Sequence, residues 1–468
     1  MPSTLKLLSN LIAASVGDIQ AACDARGVPF PSLDEVFSQE TEEIRNQPEV
    51  LKAIGILVAA ATQLIATARA TPTFIASASM QYMVTACLGV VNDGHVAEIL
   101  REAGPQGLHA SDIAKRSGMN ASRISKVLRL LATNHIFREI TPDVFTNNRT
   151  SSLLDTNKAV DELLENSLGK HDGTPGYAAF VGHQTDECFK IASALSETLR
   201  DPVFGHSDEP TQCALTKAMH NNLPAFEFLE LPENAHRLRR FGVVMDASTK
   251  LQPANAILNG FNFTSLPDNS LVIDVAGGIG SVSLVLAKAY PRLNFLVEDR
   301  PKTVFWKANF PEALTTGRVK FVAHDIFSPQ PDAYKNPAVF ILRSILHDWS
   351  DAYATRILKH LRSAAGPETK LVVIDHVLPY SCPSDLGTEE SVKGLNTPLP
   401  PAPLLANMGG AGSLQYSLDI LMLSIQNGQE RTSSHFVTLL KNTGWELKEI
   451  KRTDAIGSWY PHLISTPI

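Results

Sequence analysis

The chain has 468 residues, of which 44% are apolar and 19% charged, and carries a formal charge of -7 at neutral pH. That is too long for one ordinary core, so two or more domains are expected. The acidic balance argues against a partner such as nucleic acid or a membrane surface, both of which call for a basic field. Cys23, Cys87, Cys188, Cys213 and Cys382 are scattered, without the paired spacing of a zinc site or a disulfide scaffold. They predict a reducing compartment and a cytoplasmic protein.

Residues 1–75 read as an N-terminal helical extension. Leu5, Leu8, Ile12, Val16 and Ile19 recur at the spacing of one buried helical face, and the period continues too far for a leader peptide. "GVPFPSLDEVF" breaks that helix, and helical patterns resume to about Ala70. The run "AIGILVAAATQLIATA" meets polar residues before reaching the roughly 20 apolar positions of a membrane span. Helices of this kind pack on a neighbour, a second subunit included.

Residues 76–158 read as a winged helix: "VAEILREA", "HASDIAKRSG" and "NASRISKVLRLLATNHIFREI", then a hairpin at "TPDVFTNN". Ser111 and Asn120 are the expected N-caps, and Gly118 turns the chain between the second and third helices. The third helix sets Ile124, Val127, Leu128 and Leu131 on one face and Arg123, Lys126 and Arg129 on another. A DNA-reading helix has that appearance, but so does any solvated face.

Residues 159–468 form the remaining domain, with a helical linker over 159–265 and an α/β core over 266–468. "LVIDVA", "NFLVED", "VKFVAHD", "AVFILRS" and "KLVVIDHV" are short apolar runs ending in polar or acidic residues. With crossover helices between them they predict a parallel sheet covered on both faces, whose ligands lie beyond the carboxyl ends of the strands. Asp274, Asp299, Asp325 and Asp375 fall there. Residues 379–413 collect proline and glycine well beyond a normal connection and read as a mobile insert beside the site.

In "VIDVAGGIG", Gly277, Gly278 and Gly280 allow a tight turn and close approach of a ligand to the backbone. Asp299, at the end of the next strand, is placed to accept ribose hydroxyls. A dinucleotide would fit that much equally well. "ILRSILHDWSD" sets His347 among acids, a pattern that by itself suits either a base or a core residue.

The set "DVAGGIG", "VEDRP", "HDIF", "RSILHDWSD", "VIDHVLP" and "NGQERT", in this order, resembles the S-adenosylmethionine-dependent O-methyltransferases of the plant and fungal small-molecule type, those related to caffeate O-methyltransferase. The resemblance spans roughly residues 80 to 455. It implies a Rossmann-like methyltransferase domain preceded by a mostly helical winged-helix dimerisation domain, and hence a homodimer that binds no nucleic acid and no membrane. The cofactor it implies is S-adenosylmethionine, bound by the glycine turn that includes Gly280, with Asp274, Gly277 and Gly278 at the methionine end and Asp299 at the ribose. Asp325, Ile326 and Phe327 lie at the adenine, with Arg343 nearby. Ala276 stands where the motif has its first glycine.

By the same resemblance His347 is the base, with Asp375 and Glu430 as its carboxylate partners; Asp375 is one methylene shorter than the usual glutamate. Asp348 and Asp351 are placed to cap the following helix. Asp348, Asp419, Met422, Met245 and Phe226 are the candidates for the acceptor pocket. No metal is called for. The activity implied is methyl transfer to a hydroxyl, phenolic in the family's pattern, of a small secondary metabolite. The alternative is a protein that keeps the fold and the cofactor but catalyses a non-methylating rearrangement or pericyclic reaction.

Overall fold

The computed structural model describes residues 2–250, 256–299, 311–384, 392–452 and 460–468. The chain divides into two compact units, one of residues 1–194 and 218–251, the other of 195–217 and 252–468. Residues 159–194 and 218–251 of the linker therefore group with the N-terminal segments.

The first unit opens with α1 (Thr4–Arg26), α2 (Gln39–Glu42) and α3 (Pro48–Ala68). Gly27, at φ 65°, ends α1 in the left-handed conformation that glycine adopts without strain. Ile19, Ala22 and Cys23 of α1 close a small core with Ile44, Val50 and Ala53. The loop between α1 and α3 is fastened by Arg149, buried at 6% exposure. Its guanidinium donates to the Ser32 carbonyl at 2.8 Å and to Glu42 Oε1 at 2.6 Å.

Next come α4 (Thr71–Ser79), α5 (Tyr82–Asp93), α6 (Val96–Ala103), α7 (Ala110–Ser117) and α8 (Ala121–Thr133), with β1 (Leu108–His109), β2 (Arg138–Thr141) and β3 (Val144–Thr146). The strands pair in the order β1-β3-β2, all antiparallel. Ile124, Leu128 and Leu131 of α8 are buried with Phe137 and Phe145, so the predicted apolar face is the core face. Asn120 caps α8 as expected, but Ser111 does not cap α7: His109 precedes that helix and its ring accepts the Ser111 N–H. Arg129 turns back on the hairpin, 2.7 Å from Glu139 Oε1 and 2.9 Å from Asp143 Oδ1. α3, and α4 with α5 taken together, are each long and apolar enough to cross a bilayer by length and composition, which corrects the expectation that the α3 run falls short.

The second unit is built on a seven-stranded sheet. Its strands are β4 (Leu271–Val275), β5 (Asn294–Glu298), β6 (Val319–Val322), β7 (Val339–Arg343), β8 (Lys370–Ile374), β9 (Trp445–Lys451) and β10 (His462–Pro467), in the order β6-β5-β4-β7-β8-β10-β9. The five predicted strands run parallel, and β10 lies antiparallel between β8 and β9. Ile273, Val275, Phe340, Leu342, Leu371 and Val373 face one core; Val272, Phe295, Val339, Ile341 and Val372 face the other. Adjacent residues thus point to opposite layers and residues two apart to the same one, as two-sided burial requires.

The chain order reverses between β4 and β7, so the carboxyl ends of these strands open the crevice where ligands of such sheets bind. In the described part of the 379–413 segment a short stretch is fastened to the sheet, while most of the other residues are exposed or half-buried. Val392 and Leu395 are buried in the core, and Lys393 exchanges backbone bonds with the β9 edge, donating to the Lys448 carbonyl and accepting from Ile450.

Candidate active site

At the carboxyl end of β4 the chain enters a turn through Ala276, Gly278 and Gly280, at φ 54°, 60° and 76°. Gly277 is required by contact: a Cβ there would lie 2.6 Å from the Asp274 carboxyl carbon. Ala276 holds a left-handed conformation that a residue with a Cβ adopts at a cost. Asp274 is buried and its Oδ2 accepts the Ser283 hydroxyl at 2.6 Å. Burial raises its pKa to about 6, with Ser283 and Arg343 acting the other way.

Asp299 closes the far side of this turn, its Oδ2 accepting the Gly278 N–H at 2.7 Å. Beside it Glu298, which the sequence reading passed over, is fully buried and accepts from Gln330 Nε2 at 2.8 Å. Burial lifts Glu298 to about 7, against the Gln330 bond and with help from the Asp274 charge.

After β6, Asp325 folds the chain with its own carboxylate, taking the Phe327 N–H at 3.0 Å and the Ser328 hydroxyl at 3.1 Å. Ile326 and Phe327 are half-buried. The Phe327 ring meets Trp349 edge-on at 4.7 Å, and Arg356 lies 5.0 Å above it. Arg343, at the end of β7, sits 5.6 Å over the Tyr460 ring, which in turn lies 4.1 Å from His376. Burial lowers the Arg343 pKa, opposed by Tyr460, Asp274 and Asp375.

A sugar and a cationic sulfonium call for carboxylates, close backbone approach and an apolar slot. The turn supplies Asp274, Asp299, a glycine that no side chain could replace without striking Asp274, and the half-buried Ile326 and Phe327. S-adenosylmethionine fits this chemistry, and these residues are able to hold it.

The second part of the site lies at the ends of β7 and β8. His347 is 8% exposed, and its Nδ1 stands 2.7 Å from Glu430 Oε1. Its Nε2 lies 3.7 Å from Asp348 Oδ1. Asp375, the other expected partner, is fully buried but makes no hydrogen bond to the ring; neither of its carboxylate oxygens has a partner. It acts on the ring through its charge.

Burial disfavours the imidazolium, but Glu430, Asp348 and Asp375 together outweigh burial and raise His347 to about 10. Burial raises Asp348 and Asp375 to about 6 each, held down by the His347 charge and pushed up by Glu430. A neutral ring among three ionised carboxylates would concentrate uncompensated charge in a buried space, so the cluster retains protons.

Four features that position this cluster escaped the sequence reading. Gly428 lets the "NGQERT" loop touch the His347 backbone: a Cβ there would meet the His347 carbonyl oxygen at 2.3 Å. The adjacent Gln429 N–H donates to that carbonyl at 2.9 Å. Arg431, 1% exposed, donates to the carbonyls of Leu346 at 2.7 Å and Trp349 at 2.8 Å. Asp351 does not cap its helix but receives Arg431 Nε at 3.0 Å and lies 2.6 Å from His435 Nε2.

Asp419, a candidate for the acceptor, accepts the Glu430 N–H at 2.8 Å. Met422, on the same helix Ser413–Gln426, is buried. Phe226 and Met245 belong to the first unit. Phe226 packs edge-on against Phe241 at 6.2 Å, and Met245 is exposed. Among the described residues no group of three or more His, Cys, Asp or Glu is arranged to hold a metal ion.

Residues 203–397 match the model of the O-methyltransferase domain, and residues 77–157 match that of the O-methyltransferase dimerisation domain. An O-methyltransferase of Armillaria gallica is 54% identical over the full length of both chains. The 4-O-methyltransferase 1 of Phanerochaete chrysosporium is 37% identical, with 97% of each chain covered. Among solved structures, LepI in complex with SAM shares the fold at a TM-score of 0.63 and 17% identity, covering 98% of this chain and 100% of its own.

Proposed function

The chain belongs to the S-adenosylmethionine-dependent O-methyltransferase family, and from that membership we propose that it methylates a hydroxyl, phenolic in character, of a small secondary metabolite, with His347 as the base. Fungal relatives that are O-methyltransferases support the class of acceptor. The dimerisation domain supports a homodimer, formed on this reading through the winged-helix segment.

S-adenosylmethionine supplies the methyl group as a carbon electrophile on a sulfonium. What the protein must add is a nucleophile. A neutral hydroxyl is a weak one, and a base within reach of its proton makes it competent. The observation that carries the assignment is the 2.7 Å contact of His347 Nδ1 with Glu430. Because Nδ1 is committed as donor, Nε2 is the nitrogen left to accept the acceptor's proton. The cation so formed stays beside Glu430 and Asp348, which favour it. The carboxylates therefore orient the ring and stabilise its charged state, as in a triad.

The same carboxylates favour the charged ring before the reaction. His347 must first release its proton, so the ring works as a base in the alkaline range or once bound positive charge offsets its neighbours.

The test is incubation with methyl-labelled cofactor and a panel of phenolic metabolites, using wild type and His347→Ala. Label should appear in a methyl ether with wild type and be almost lost with the variant. If the metabolite is converted while label stays on the cofactor, the chain runs the non-methylating chemistry instead. If the variant transfers label at the wild-type rate, the base assignment fails.

A further inference from the structure

From Ala61 to Val90 the first unit carries thirty residues of which none is buried and only Arg69 is charged. The stretch comprises the last part of α3, all of α4 and most of α5. Ile65 is 49% exposed, Ile75 66%, Met80 59% and Tyr82 49%. The part of α3 before Ala61 is different: Val50, Ala53, Ala59 and Ala60 are buried. A helix as short as α4, with no buried residue, is not stable in water by its own backbone bonds. A contiguous apolar surface of this extent on a soluble unit marks an interaction site.

We infer that this surface is covered by a second copy of the chain, so that the dimer interface runs beyond the matched dimerisation segment into the N-terminal extension, onto the end of α3 and α4. The inference rests on the homodimer reading and extends it. The matched segment begins at residue 77, inside α4, so the apolar surface passes without a break from outside the segment into it. Its size suits the part: a stable interface takes roughly 20–30 residues from each partner.

The other occupant to consider is a bilayer, since α3, and α4 with α5 taken together, are each long and apolar enough to cross one. Crossing is disfavoured because α3 spends Val50 and Ala53 on the core it shares with α1. Lying on a membrane surface is disfavoured because the only cations between residues 48 and 93 are Lys52 and Arg69, whereas helices that bind there carry a basic polar face. The α4–α5 run is also broken by a turn at Met80 and Gln81. Thr, Ser and Gln side chains are interleaved throughout, an arrangement that suits a protein interface with a polar rim.

The experiment uses the full-length chain with Ile65→Glu and Ile75→Glu, both outside the matched segment, in a dilution series by light scattering after gel filtration. Wild type should be dimeric, and each variant should raise the dimer dissociation constant at least tenfold while keeping its helical circular dichroism. In wild type alone, hydrogen exchange of amides in residues 61–76 should slow as concentration rises through the dissociation constant.

A dimeric wild type whose variants dimerise unchanged, or whose exchange over 61–76 ignores concentration, overturns the inference and leaves the dimerisation domain's role intact. A wild type that stays monomeric overturns the homodimer reading itself. Wild type that pellets with phosphatidylcholine–phosphatidylserine vesicles, with 61–76 protected only there, gives the surface to the membrane.

Discussion

The two halves of the site are built by different means. At the β4–β5 end, backbone does most of the work: three left-handed residues, a glycine that clears Asp274, and an amide that fixes Asp299. At the β7–β8 end, side chains do it. His347, Asp348, Asp375 and Glu430 come from three separate segments, and Arg431 and Asp419 hold those segments in place. Local constraint makes a site that tolerates no added side chain; assembled charge makes one whose protonation depends on every member. Substitutions in the two halves should therefore fail differently, the first in binding and the second in rate and pH response.

The largest effect is expected at His347, the proposed base. His347→Ala should lower kcat by roughly 10²- to 10⁴-fold, the usual contribution of a positioned proton acceptor. Cofactor affinity by calorimetry should stay within a few-fold, because the ring is not part of the turn. A large loss of cofactor binding would mean that the two halves are not separable.

Glu430→Gln comes next and tests the charge argument directly. In the ligand-free protein His347 is protonated up to about pH 10, so kcat/KM should rise with pH through the neutral range. Removing the Glu430 charge lowers the ring's pKa, and the acid limb of the profile should move to lower pH while the plateau falls as ring orientation is lost. The stability sign follows from the same shift. A ring whose folded pKa lies above its ordinary value of 6.5 adds stability that is complete below about pH 6.5 and is lost as the pH rises towards about 10. Thermal unfolding as a function of pH should show that decline in wild type and a flatter one in the variant. An unmoved acid limb would assign the titration to another group.

Asp299→Ala probes the other half. Loss of a charged hydrogen-bonding group is worth about 1.5–3 kcal/mol, or roughly 10- to 150-fold in affinity. That weakening should appear in the dissociation constant for S-adenosylmethionine, with kcat at saturation changed much less. Equal binding by calorimetry would remove the ribose assignment.

Much of this contrast was legible beforehand, and what was not has physical reasons. The parallel strands are continuous apolar runs, and the glycine turn is a local pattern, so both could be read from neighbouring residues. The antiparallel β9–β10 pair went unremarked because "WELKEIK" lies beyond the last βα unit and its partner β10 comes only after the segment 453–459. The His347 cluster was reached through the ordered motifs of a family, since no spacing along the chain brings residue 347 to residue 430. Arg431 was missed because a buried arginine looks like a surface one until the carbonyls it serves are known. Asp351 looked like a helix cap because it follows Ser350 at the start of a helix, whereas its carboxylate is spent on Arg431 and His435.

The smallest effect is expected at Asp419, which touches the cluster through one backbone amide of Glu430. Asp419→Ala removes one acceptor from a half-buried N–H, a loss of about 0.5–1.5 kcal/mol for a single hydrogen bond. If Asp419 only positions Glu430, kcat should fall a few-fold, the pH profile should shift slightly in the direction of Glu430→Gln, and the KM for the acceptor should hold. If instead its carboxylate receives the acceptor, KM should rise while the pH profile stays in place. The split between KM and the acid limb therefore decides whether this residue belongs to the assembled charge of the base or to the wall that the substrate meets.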